Sequence, residues 1–204
     1  MGEIRQVAKP GRADDALRYA ERAVASIARG DPEAAIPEAL RAKGLAGRSA
    51  GLREILALAH YGTGRWQEAL REMQAYRRMS GRLDENHIIA DCYRALGRAD
   101  RAVAEAEQAL DGSVDVPDDV RAECAVVGAS ALADIGRFDQ ALAFVRRFAT
   151  RTAVGRPFDL RVWYVTGDIL ARLGRRGEAA SEFAKVVRHD PSAFDAGDRL
   201  AELS

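Results

Sequence analysis

Residues 163–191 read WYVTGDILARLGRRGEAASEFAKVVRHDP, two amphipathic runs joined at Gly174-Arg175 and closed by Asp190-Pro191. Glycine in the join permits a sharp reversal, and a small residue five positions on, Ala179, lets the two runs approach closely. The same pair recurs along the chain as Gly30 and Ala35, Gly64 and Ala69, Gly97 and Ala102, and Gly136 and Ala141. Successive turn glycines are separated by 34, 33, 39 and 38 residues. A unit of about 34 residues, lengthened twice by inserts, is the period of a helix-turn-helix solenoid. Such an array presents surface for holding another molecule rather than one enclosed core.

The chain can be partitioned on this phase. Residues 1–12 are polar and contain Pro10 and Gly11, which predicts a flexible N-terminal arm. Residues 13–204 are expected to form a single solenoid domain with repeats at about 14–47, 49–80, 83–112, 118–150 and 158–190. Asp31-Pro32-Glu33 supplies an N-cap, a first-position proline and an acidic first turn. Pro37 lies further inside the same helix and predicts a kink or a late start. Loops at 111–117 and 151–157 account for the long steps. Phe194, Leu200 and Leu203 on an otherwise polar segment predict a capping helix over 192–203.

Composition narrows the class. The 204 residues carry 31 basic and 31 acidic side chains, so no net charge draws the chain to nucleic acid or an anionic membrane. Lys9, Lys43 and Lys185 are the only lysines, and this arginine bias suggests a GC-rich bacterial genome. Cys92 and Cys124 form no CxxC pair and fit buried, reduced thiols of a cytoplasmic protein. Neither a signal-peptide pattern nor an apolar run long enough for a membrane helix is present, so no membrane association is expected. His60, His87 and His189 lie in different repeats and make no HExxH motif. Phosphate-loop, nucleophile-elbow and dinucleotide signatures are missing too, and a non-catalytic chain without metal or cofactor is expected.

Trp163, Gly167, Gly174, Ala179, Phe183 and Pro191 match the signature W-x2-LG-x2-Y, A-x3-F, P, and on these residues the chain resembles the tetratricopeptide repeat (TPR) family. Thr166 and Leu170 depart from its leucine and tyrosine. Partial matches include Leu56-Ala57, Trp66 and Met73 in repeat two, Ala90, Tyr93 and Ala109 in repeat three, and Ala129, Leu132 and Phe138 in repeat four. Repeat one retains Ala23, Gly30, Ala35 and Ala42. The segments ADCYRALGR (90–98) and DRLAEL (198–203) resemble those of actinobacterial TPR proteins of uncharacterised function.

That resemblance implies an all-α, right-handed TPR solenoid of five repeats with a C-terminal cap, acting as a protein-protein interaction adaptor or scaffold. It also implies a concave groove lined by the first helix of each repeat. Counting from the turn glycines places Glu54 and Tyr61, then Asp84, His87, Asp91 and Arg94, on that groove. Glu123, Ser130 and Asp134 follow, and then Arg161, Tyr164, Asp168 and Arg172. Its centre leans acidic, which fits a peptide partner with basic residues. The lysine-asparagine-arginine clamp that holds chaperone C-termini is not matched, since Ala20, Val24, Ile55, Asp84 and Ile88 stand there. Leu17, Val24 and Ile27 form an apolar strip on repeat one, suited to covering by the arm, by a partner helix or by a second copy in self-association. The alternative function is a nucleic-acid-associated regulatory module using Arg77-Arg78, Arg146-Arg147 and Arg175-Arg176 on the outer helices.

Overall fold

The computed structural model describes residues 2–111, 115–148 and 155–203. They form helices and turns, with no strand among them. Two compact units divide the chain, Met1–Leu96 and Gly97–Ser204. Parts of the two predicted insert loops, and the predicted end of the second helix of repeat four at Thr150, lie outside the described residues.

The first unit holds α1 (Gly2–Val7), α2 (Ala13–Ala28), α3 (Pro32–Leu45), α4 (Ala50–Gly62), α5 (Trp66–Ser80) and α6 (Asn86–Ala95). Helices α2 and α3 form one hairpin, α4 and α5 a second, and α3 packs on α4. The second unit holds α7 (Ala99–Leu110), α8 (Asp118–Asp134), α9 (Phe138–Val145), α10 (Pro157–Arg172), α11 (Arg176–His189) and α12 (Ala196–Leu203). There α8 pairs with α9, α10 pairs with α11, α8 packs on α10, and α12 covers α11.

The repeat phase read from the sequence governs this packing. Gly30, Gly64, Gly97, Gly136 and Gly174 all take positive φ, between 69° and 76°, the left-handed geometry that closes each first helix. The small residue seven positions before each turn glycine is buried: Ala23, Ala57, Ala90, Ala129 and Gly167. So is the alanine five positions after it, at 35, 69, 102, 141 and 179. A Cβ on Gly167 would stand 3.0 Å from the Phe183 ring, so helices α10 and α11 meet at a distance only a small residue allows.

Local chemistry sets the helix starts. Asp31 accepts the Ala34 N–H at 3.1 Å, and Ser49 accepts the Leu52 N–H at 3.3 Å. These bonds satisfy donors that the first turn leaves open. Asp159, fully buried, accepts from the Arg156 backbone N–H and from its guanidinium at 3.0 Å each. Pro37 neither delays nor ends α3, which starts at Pro32 and runs through it. Near the first turn, proline deletes a single backbone bond of the ladder. Between hairpins, Glu72 on α5 receives Lys43 of α3 at 2.6 Å and Arg53 of α4 at 2.8 Å. Although burial opposes its charge, these two donors hold the Glu72 carboxyl below its ordinary range.

Two terminal expectations are corrected. Residues 2–7 are not an arm but helix α1, whose Ile4 is 2% exposed and packs with Ala16, Leu17, Ala20, Ala42, Ala46 and Leu52. Burying one isoleucine contributes about 1.5–3 kcal/mol, which favours docking over solvation. Glu3 adds a cap to α4, accepting from the Ala50 N–H at 2.7 Å and the Ser49 hydroxyl at 3.3 Å. The C-terminal helix starts at Ala196, four residues later than expected, because Asp190, Ser192 and Ala193 form a turn bonded through Asp190.

Candidate protein-binding face

Each unit brings predicted groove residues of consecutive repeats into contact. In the first unit, Tyr61 on α4 donates its hydroxyl to Asp91 on α6 at 2.5 Å, and Arg94 donates to the other Asp91 oxygen at 2.8 Å. Burial first, then the bond to Asp91, raises the Tyr61 phenol well above its ordinary range. His87 lies half-buried on the same α6 face.

A second group gathers where α4 faces the start of α6. Asp84 accepts the Tyr76 hydroxyl at 3.0 Å and pairs with Arg82 at 2.5 Å. Glu54 is half-buried, and burial with Asp84 and Glu3 raises its carboxyl pKa against the pull of Arg82. Glu85 was not anticipated. Burial, Glu54 and Asp84 push its carboxyl up to about 7, while Arg82 works the other way. Arg82 thus pairs with Asp84 and acts on Glu54 and Glu85 only through its charge, and a further cation would relieve these two.

In the second unit, several predicted groove charges are paired. Glu123 on α8 pairs with Arg161 on α10 at 3.2 Å. Asp168 receives Arg172 at 2.9 Å and Arg199 of the cap at 2.8 Å. Tyr164 donates to Asp195 at 2.5 Å and meets the Phe194 ring at a tilt, 4.8 Å between centroids. The cap therefore covers part of the predicted groove of repeat five. Ser130 is half-buried and Asp134 exposed on α8, and the Arg172 guanidinium stands 5.9 Å from the Phe138 ring.

On repeat one, Leu17 is 8% exposed beneath α1 and Ile27 is half-buried against Ala23, Ile36 and Leu56. Val24 alone of the three stands exposed, at 42%. Cys92 and Cys124 are buried free thiols, each pushed up to about 12 by burial first and a neighbouring carboxylate second. Such thiols are poor nucleophiles near neutral pH. No helix among the described residues is long and apolar enough to cross a membrane.

Family models for the tetratricopeptide repeat match residues 86–111 and 127–195, so these segments carry TPR repeats. No curated protein matches the sequence. Among solved structures, it is similar to TTC0263, a thermophilic TPR protein of Thermus thermophilus, at 20% identity and TM-score 0.63, over 92% of this chain and 98% of that one. YrrB, a TPR protein with an unusual peptide-binding site, is similar at 17% identity and TM-score 0.59, over 90% of each chain. PilF of Pseudomonas aeruginosa is similar at 14% identity and TM-score 0.66, covering 95% of this chain and 90% of its own. At these identities the likeness establishes the fold, an all-helical TPR array.

Proposed function

We propose that this chain, built from TPR repeats, is a non-catalytic adaptor that binds a protein segment on the face formed by the first helices of its repeats. The observation that carries the reading is the cluster of Glu54, Asp84 and Glu85 near Arg82. Burial first, and neighbouring carboxylates second, oppose the charge of Glu54 and Glu85, and a lysine or arginine from a partner relieves both. Charge-assisted hydrogen bonds of about 1.5–3 kcal/mol each, before desolvation, suffice for specificity. Tyr61 lies about two turns along the same helix from Glu54 and offers apolar contact. YrrB, similar in fold, holds a peptide-binding site, which supports a segment as the ligand.

Selection from a random peptide library tests this reading, with the natural chain compared against the double variant Glu54→Gln, Glu85→Gln. Peptides rich in lysine or arginine are expected from the natural chain, with at least tenfold weaker binding to the variant and weakening by added salt. Selection of peptides without basic residues, or equal binding by both chains, would reject the acidic face as the site.

A further inference from the structure

Helix α1 is held on the first unit by a small set of side chains. Glu3 places its carboxylate at the start of α4, within 2.7 Å of the Ala50 N–H, 3.3 Å of the Ser49 hydroxyl and 3.4 Å of the Gly51 N–H. Ile4 fills a pocket made by Leu17 and Ala20 of α2, Ala42 near the end of α3, and Leu52 of α4, with Val7 and Ala8 packed at its border. The remaining contact, Arg5 with Asp14 at 2.8 Å, is exposed on both sides and adds little. The seat thus reads a pattern: a carboxylate, an aliphatic residue directly after it, and an aliphatic and a small residue one helical turn on.

The connection to α2 turns on a glycine and is tied to α3 by one backbone bond. It runs through Lys9, Pro10 and Gly11, with Gly11 at φ 69° and the Lys9 N–H donating to the Leu45 carbonyl at 2.9 Å. Without α1, the α4 N-terminus would lose an anion, and Leu17 and Leu52 would lose their apolar cover.

We propose that α1 is a displaceable occupant of a docking seat, and that a helical segment of a partner protein bearing the same acid-aliphatic pattern takes its place. The partner chemistry is set by what already fills the seat: a carboxylate for the open N–H groups of α4 and an isoleucine-sized side chain for the pocket. This goes beyond the acidic face, which selects cations, because the seat selects an anion next to a hydrophobe. While α1 is docked, a competing segment binds only the fraction of molecules with the seat open, so weakening α1 raises apparent affinity in proportion.

Fluorescence anisotropy with a labelled peptide of residues 2–9, GEIRQVAK, tests this on the full chain. The Ile4→Asp chain is expected to bind the peptide at least tenfold more tightly than the natural chain, and a peptide carrying Glu3→Lys is expected to lose that binding. Should Ile4→Asp fail to fold by circular dichroism, Glu3→Arg in the full chain serves instead, because it leaves Ile4 intact. Equal binding by the natural chain and a folded variant overturns the proposal. So would a natural chain that sediments as a dimer and becomes monomeric with Ile4→Asp, which would assign the seat to α1 of a second copy.

Discussion

The hydroxyl of Tyr61 donates to Asp91 across 2.5 Å and thereby ties the first helix of repeat two to the first helix of repeat three. The Tyr61 ring also meets Trp66 edge-on at 5.3 Å, which Phe would preserve. Tyr61→Phe thus removes the bond alone and leaves Asp91 with Arg94. Urea unfolding is expected to show a loss of about 1.5–3 kcal/mol, the range for a hydrogen bond to a charged group. Double substitution with Asp91→Asn should cost less than the sum of the single changes.

Gly128 sits where a Cβ would stand 2.3 Å from the Phe144 ring, a buried side chain on α9. Alanine normally favours a helix over glycine by about 1 kcal/mol, yet overpacking costs about 1–3 kcal/mol. Gly128→Ala is therefore expected to lower the unfolding midpoint, and Phe144→Leu to restore part of the loss in the double variant. Gly177, in α11 with nothing within 4 Å, gives the opposite case. Gly177→Ala should raise stability by about 0.5–1 kcal/mol in the same assay.

What could be read from the sequence follows from how local the physics is. Turn glycines and the small residues around them repeat because each hairpin solves the same packing problem, so their phase predicts which residues of successive first helices share a face. Tyr61 meets Asp91 in the first unit and Glu123 meets Arg161 in the second, contacts that neighbours on one face make. Helix α1 escaped because six residues with a single buried isoleucine carry no period, and the seat for that isoleucine is assembled from three distant helices. Glu85 escaped for a related reason. Its pKa is set by burial and by Glu54, a residue of another repeat. The cap's engagement of Tyr164 and Asp168 likewise depends on where α12 lands rather than on any motif.

Two groups of the first unit give opposite pH signatures. The carboxyl of Glu85 is raised from 4.5 to about 7, so the folded chain holds more protons than the unfolded one in that window, and stability falls as pH rises through it. Buried His60 is lowered below 6.5 by burial, with Arg65 and Lys43 acting the same way against Glu68 and Glu72. Folding therefore disfavours its protonation, and stability falls as pH drops below 6.5. Thermal melts across pH 5 to 8 should separate them. Glu85→Gln is expected to add about 1–2 kcal/mol at pH 8 and little at pH 5. The variant His60→Gln should flatten the acid side instead.

Asp168 joins two elements that differ in how firmly they are held. It receives Arg172 within α10 and Arg199 from α12, and the Arg199 guanidinium also lies 5.2 Å from the Phe183 ring. The cap buries only Ala196 among its own residues, so ion pairing and the Tyr164 to Asp195 bond carry much of its attachment. Asp168 and Arg199 side chains are 23% and 26% exposed, sheltered enough for their bond to fall in the charge-assisted range of about 1.5–3 kcal/mol. Removing the carboxylate by Asp168→Ala should therefore open α12 locally without unfolding the hairpin beneath it. Hydrogen exchange is expected to accelerate about 10- to 100-fold in α12, with α10 and α11 unchanged. Equal acceleration in all three helices would mean that the cap and its hairpin unfold as one body, and that Asp168 supports the hairpin itself.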